Sequence, residues 1–263
     1  GNDRPRVFRL KNDEAIINHL GFNNIGSDKI YKNLKKVRKT LYENKIIGVN
    51  IGKNRDSINS IDDYLYGIEK FQSLSSYITI NISSPNTVGL RDLQLRGNIE
   101  NLIKKIKKRK LQVESINKKP LLIKISPDLN EEQLRDISLI SLANNIDGLI
   151  ISNTSISRPK NLRSITVPSI GGLSGKPIFQ ISNDILKKTY NLTNGQIPLI
   201  GVGGISNGAD CYQKIKSGAS LVQLYTALVY SGPLLIKKIK SELTYLLKTD
   251  GYKNIAEAVG KSV

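Results

Sequence analysis

Six short aliphatic runs recur along this chain, at 45–51, 77–82, 120–125, 147–154, 197–204 and 220–225, and each is followed by a stretch with helical periodicity. Runs of Ile, Leu and Val with almost no alternation fit strands covered on both faces. Strands that alternate with helices fit a parallel sheet joined by right-handed crossovers. The helical stretches carry their own signals. Ser27 or Asp28 caps one in which Ile30, Leu34, Val37 and Leu41 form a single apolar stripe, and others span 60–74, 98–115, 178–190, 207–217 and 233–247, with one more beginning at Leu129. Upstream, residues 1–12 read as an extended basic lead-in. The segment from Asp13 to Leu20 reads as a short helix with acidic residues at its start, ended by Gly21. The expected fold is one α/β domain, residues 1–263, of the (β/α)8 TIM-barrel type. Six strands are two short of eight, so the first two strands and an N-terminal helical segment are expected to lie upstream. The chain has no Met, not even at position 1, which fits that expectation.

The charge balance raises a competing class. Forty Lys and Arg against 22 Asp and Glu give a formal +18, as a nucleic-acid or anionic-membrane partner would require. Lysine is spread over most helical segments, however. Its densest run, Lys104 to Lys110, shares a helix with Leu102, Ile103 and Ile106, so it reads as a solvated helix face. Only 6% of residues are aromatic, too few to interleave stacking platforms with the lysines, so no nucleic-acid partner is expected. Cys211 is the only cysteine and His19 the only histidine, which leaves neither a disulfide framework nor a Cys/His metal cluster and fits a reducing compartment. No metal is expected, and no run approaches the length of about 18 apolar residues needed to cross a bilayer.

Chemistry is expected where strands end. In 77–87, Ile78, Ile80 and Ile82 alternate with Thr79, Asn81 and Ser83, and Pro85 closes the strand, leaving Ser84 and Asn86 at its carboxyl end, the ligand-binding side of a parallel sheet or barrel. Asn50, Asn81 and Asn153 recur at three such ends, a set of uncharged groups able to orient a polar planar molecule. Lys124 interrupts an aliphatic strand, and a buried lysine needs an anionic or electron-rich ligand, or a carboxylate partner. The turns Gly201-Val-Gly-Gly204 and Gln223-Leu-Tyr-Thr226 end the last two strands before helices and read as a phosphate cradle. Ser206 stands where the third glycine of a dinucleotide fingerprint would fall.

With Asn81-Ile-Ser-Ser-Pro-Asn-Thr-Val-Gly-Leu-Arg91 in place, the chain resembles dihydroorotate dehydrogenase, and specifically its quinone-linked, membrane-associated class 2. The resemblance runs from about Arg4 to Ser231. It includes Asn18-His-Leu-Gly-Phe-Asn-Asn24, Gly48-Val-Asn-Ile-Gly52, Leu122-Ile-Lys-Ile-Ser-Pro-Asp128, Ser152-Asn-Thr154, Gly171-Gly-Leu-Ser-Gly175 and the two final turns. It implies a barrel holding FMN through Asn50, Asn81, Lys124, Ser152, Gly175, Gly204, Tyr225 and Thr226. It implies dihydroorotate or orotate held by Asn18, His19, Leu20, Gly21, Phe22, Asn81, Asn86, Asn153 and Thr154, with Ser84 as the catalytic base where class 1 enzymes carry Cys. His19 stands where the family usually has Arg, and a surface or helix-end position is expected for it.

The implied reaction oxidises (S)-dihydroorotate to orotate in pyrimidine biosynthesis, with hydride to FMN and electrons on to ubiquinone or another quinone. Thr87 and Thr154 are candidates to relay the proton from Ser84. The implied setting is a monomer in peripheral membrane contact through its upstream segment, on the cytoplasmic face of the inner membrane if bacterial. The residues themselves leave open a phosphate-binding aldolase or synthase with Lys124 as Schiff-base nucleophile, and the family leaves open a class 1 type enzyme with another electron acceptor.

Overall fold

Alternation decides which way each central strand faces. The computed structural model describes residues 1–40, 45–112 and 119–263. Leu41, the Lys110 side chain and the expected helix end near Ser115 lie outside the described residues. Six parallel strands form one sheet in the order β3 (Gly48–Ile51), β4 (Tyr77–Asn81), β5 (Leu121–Ile125), β6 (Gly148–Ile151), β8 (Leu199–Val202) and β9 (Ala219–Gln223). These are the six strands expected, in the expected order. Ile78, Ile80, Ile123, Ile125, Leu149, Ile151 and Leu199 pack with the helices in the large outer core, while Leu122, Ile150 and Ile200 form a separate cluster on the other face. The register pairs Asn81 with Lys124, Lys124 with Ile150, and Ile150 with Ile200, so all four share that second face.

The helices are α1 (Ser27–Thr40), α2 (Ser60–Phe71), α3 (Arg96–Gln112), α4 (Glu131–Ala143), α5 (Phe179–Leu192), α6 (Gly208–Lys216), the short α7 (Thr226–Ser231), α8 (Leu234–Thr249) and α9 (Ile255–Ala258), of which α2 to α6 are crossovers between strands of the parallel sheet. Asn130 begins α4 with a full capping box: its side chain accepts from the Gln133 N–H, and the Gln133 side chain accepts from the Asn130 N–H. In α3, Leu102, Ile103 and Ile106 are buried while Lys104, Lys105 and Lys108 face solvent, the solvated face expected of that run. In α1 the stripe Ile30, Leu34 and Val37 points inward but stays half-buried, and no residue of that helix is fully covered.

Two expectations fail in the first quarter of the chain and around Gly171. Residues 13–20 are not a helix: β1 (Val7–Leu10) and β2 (Ala15–Asn18) form an antiparallel hairpin, and β2 pairs in turn with β7 (Gly172–Gly175). The apolar run Ala15-Ile-Ile is too short for its period to separate helix from strand, and its two β-branched residues favour the strand. Asp13 accepts from the N–H groups of Arg163 and Ser164 instead of opening a helix. The glycine-rich segment ending at Gly175, which is not among the expected strands, supplies β7. In the parallel sheet, β3 and β9 are the outer strands and do not pair with each other.

Candidate active site

The carboxyl ends of β5, β6, β8 and β9 open into one cavity of about 560 Å³, roofed by the β1–β2 hairpin and β7. Lys124, Ser152, Asn153, Thr154, Gly204, Tyr225 and Thr226 line it from the sheet side, and Asn18, Leu20 and Gly175 from the roof. The roof is tied down at several points. Ser174 donates to the Ile16 carbonyl and accepts from the Thr226 hydroxyl at 2.8 Å, and the Tyr230 hydroxyl donates to the Ala15 carbonyl at 2.8 Å.

Lys124 is the main cationic feature of the interior face. Burial pushes its pKa below the ordinary lysine value, and among the described residues it has neither a hydrogen-bond nor an ion-pair partner. No carboxylate neutralises it there, which leaves a ligand as its counterpart.

Glycine is required at the turn after β8. Gly203 and Gly204 have φ of +118° and +76°, and a Cβ at Gly204 would lie 2.5 Å from Phe179 Cβ and 2.6 Å from its Cα. The bare backbone of this turn and the Tyr225–Thr226 turn border the same cavity, as a phosphate cradle demands.

Amides and hydroxyls form a network at the edge of the cavity. Asn153 Nδ2 donates to Ser83 Oγ at 2.9 Å and to Asn81 Oδ1 at 3.3 Å, and its Oδ1 accepts from the Thr154 N–H at 2.8 Å. Asn86 Nδ2 donates to both oxygens of Asn18, at 2.9 and 3.1 Å, and the Asn86 N–H donates to Ser84 Oγ at 3.2 Å. Fully buried Tyr64 donates its hydroxyl to the Asn81 carbonyl at 2.9 Å, holding the end of β4. Arg91 donates to the carbonyls of Ser83 and Thr154, both at 3.1 Å, and pairs with Asp128 at 2.9 Å, so it joins the loops after β4, β5 and β6. Asn86 Oδ1 and His19 Nδ1 are buried without a partner. Buried polar atoms are rarely left unsatisfied, and of these two only Asn86 Oδ1 belongs to the network that reaches the cavity roof.

His19 apart, the sequence-derived residues therefore fall into three groups. Ten line the main cavity. Asn81, Ser84 and Asn86 stand at its edge, joined to it or to its roof by the network. Asn50, Gly21 and Phe22 line a separate depression beside outer strand β3, where the Phe22 ring packs on Gly52. His19 lines neither, and it sits just past β2, half-buried, rather than at a helix end or on the surface. Sequence reasoning gave no role to Arg9, Glu14, Ser174 or Tyr230 on the cavity wall, nor to Arg91 and Tyr64 beside it, although Ser174 and Arg91 stand within the motifs that carry the resemblance. A strand reading of Ala15–Asn18 would have found the roof residues; nothing local marked a role for Arg91.

Comparison with known proteins agrees with this geometry. A family profile for dihydroorotate dehydrogenase matches residues 1–247. The dihydroorotate dehydrogenase (quinone) of Parvibaculum lavamentivorans is 48% identical over the whole of this chain, which spans 73% of that protein. The mitochondrial dihydroorotate dehydrogenase (quinone) of Oryza sativa subsp. japonica is 44% identical over 99% of the chain, which spans 61% of it. A crystal structure of DHODH from Eimeria tenella in complex with ferulenol superposes with a TM-score of 0.93 at 39% identity, covering 99% of this chain and 75% of that one. The chain belongs to the dihydroorotate dehydrogenase family, among its quinone-linked members.

Proposed function

We propose that the chain oxidises (S)-dihydroorotate to orotate, with FMN as the resident flavin and a quinone as the final acceptor. The observation that carries this is the single cavity in which a glycine turn fit for a phosphate, an unpartnered, half-buried lysine and an amide cluster meet. Those features fit FMN: the two turns hold its phosphate, Lys124 and the Asn81–Asn153 pair face the ring, and Asn18, Asn86 and Thr154 hold the substrate. Unsatisfied Asn86 Oδ1 fits a donor on the substrate. Bound FMN supplies the acceptor for the hydride that leaves C6 of dihydroorotate.

Ser84 takes the C5 proton. Its hydroxyl is a weak base, and the Asn86 N–H aimed at Oγ stabilises negative charge on that oxygen as its own proton departs. Among the described residues neither Thr87 nor Thr154 hydrogen-bonds the Ser84 hydroxyl directly, so a relay from Ser84 to either threonine runs through water between them. Burial disfavours charge on Lys124, and negative charge arriving beside it favours its charged form, so the lysine would serve as a counter-charge there.

Family membership favours this reading over a Schiff-base aldolase built on Lys124 and over a class 1 type enzyme. We also propose a monomer in peripheral contact with the membrane that holds the quinone, and none of the described helices is long and apolar enough to cross one. Liposome flotation and sedimentation test both points. The central test is anaerobic: the chain loaded with FMN should bleach near 450 nm on adding dihydroorotate and stay coloured with NADH. Equal bleaching by NADH would sink the assignment.

A further inference from the structure

Lys214 is the one lysine with no exposed surface among the described residues, and nothing above gives it a task. It belongs to α6, whose sequence Gly-Ala-Asp-Cys-Tyr-Gln-Lys-Ile-Lys looks like an ordinary basic outer helix. Its aliphatic stem runs under β8: a Cβ built on Gly201 would lie 3.2 Å from Lys214 Cδ, so glycine at 201 leaves room for the stem. The ammonium group reaches Ser182 of α5, donating to its Oγ, and lies 4.9 Å from the centre of the Phe179 ring. No carboxylate forms an ion pair with it among the described residues. Asp184 on α5 and Asp210 on α6 act on it only from longer range, and burial pushes its pKa down to about 7. A buried group this unfavourable for charge needs a structural or functional counterpart.

The geometry supplies one. An ammonium donor fixes Ser182 Oγ as acceptor, which leaves the hydroxyl proton for the carbonyls of Phe179, at 2.9 Å, and Gly203, at 3.2 Å. In a trans peptide the carbonyl and the following N–H point in opposite directions. Holding the Gly203 carbonyl toward α5 therefore turns the Gly204 N–H the other way, toward the cavity that Gly203 and Gly204 line. The same turn packs tightly on Ser182, since a Cβ at Gly203 would lie 2.8 Å from its Oγ.

We propose that Lys214 is a positioning residue for the phosphate cradle: acting through Ser182 it sets the Gly203–Gly204 peptide so that the Gly204 N–H faces the anion, and it places a buried positive charge behind that turn. This rests on the FMN reading above and adds to it a residue that never touches the ligand.

FMN and riboflavin differ only in the phosphate, so their affinities separate this role from a general structural one. Fluorescence quenching should show that Lys214→Met weakens FMN binding about 10- to 100-fold, the range for losing an interaction with a charged group, while riboflavin affinity stays within about twofold. Ser182→Ala, which removes only a hydroxyl, should show the same selectivity with a smaller loss, and it carries the test if Lys214→Met does not fold. Variants that keep the wild-type ratio of FMN to riboflavin affinity, or that lose both together, overturn the inference alone. A wild-type chain that binds FMN and riboflavin equally overturns the phosphate-cradle reading and the inference with it.

Discussion

Strands β6 and β9 carry comparable aliphatic sequences, Gly-Leu-Ile-Ile and Ala-Ser-Leu-Val-Gln, yet every residue of β6 is buried while Leu221 in β9 is 63% exposed. The difference follows from position. β6 has a neighbour on each side and packed side chains on both faces, whereas β9 is an outer strand. β3, at the opposite margin, repeats the pattern, and α1 beside it keeps its apolar stripe half-covered. A strand's sequence thus announces which faces are apolar, while its energetic weight depends on how many neighbours the sheet provides. The candidate chemistry draws on both kinds of strand: Asn81, Lys124 and Ser152 belong to or follow covered strands, while Asn50 lies in β3 and Tyr225 and Thr226 follow β9.

This contrast can be broken or sharpened by experiment. The largest expected effect is on the covered side and kinetic. Ser84→Ala should slow reduction of the bound flavin by roughly 10²- to 10⁴-fold, as for loss of a positioned proton acceptor, with little change in orotate affinity or Tm. Near-normal stopped-flow rates would move the base elsewhere. Next comes stability. Leu149→Ala, in fully buried β6, should cost about 2–5 kcal/mol in urea unfolding, whereas Leu221→Ala in β9 should stay within about 0.5 kcal/mol. Equal costs would mean that the β9 margin is covered in solution.

A smaller effect concerns pH. Lys214 has its pKa lowered from 10.5 to about 7 in the folded chain, so between those values the unfolded chain holds the extra proton. Stability should therefore rise with pH across that window, by at most about 1.4 kcal/mol per pH unit. The difference between wild type and Lys214→Met in urea midpoints from pH 6 to 10 isolates this slope. A flat difference would mean that Lys214 keeps an ordinary pKa.

Much of the fold was legible because its signals are local. Ile78, Ile80 and Ile82 against Thr79, Asn81 and Ser83 declare two faces within seven residues, and the structure sends the isoleucines to the helices. Lys124 stood out because nothing else in its strand is polar, and it does face the cavity without a partner. The roof was not legible. Ala15–Asn18 is four residues long, and its second neighbour, β7, is remote in sequence, so no window around it contains the pairing that makes it a strand. Lys214 was hidden for a related reason: beside Lys216 it reads as half of a solvated pair, and only the approach of α5 and β8 shows that one is buried. Asn50 was placed with the flavin by resemblance, yet it lines a depression apart from the main cavity, since no pairing brings β3 round to β9.

The hairpin roof also bears on the order in which the molecule assembles. Its ladder joins Ala15 to Gly175 and Asn18 to Gly172, so the chain must first bring together segments separated by four helix–strand units, α1–β3 to α4–β6. The β4–β5 ladder closes a far shorter loop. Loop-closure entropy is met before such distant contacts return any energy, so the roof should form late, over a sheet already in place. Pulse-labelled hydrogen exchange during refolding would see the Ile80 amide protected before that of Ile16, which faces β7, and simultaneous protection would contradict this order. A chain that builds its roof last leaves the ligand cavity open during assembly, so the flavin can enter before the lid of strands is laid across it.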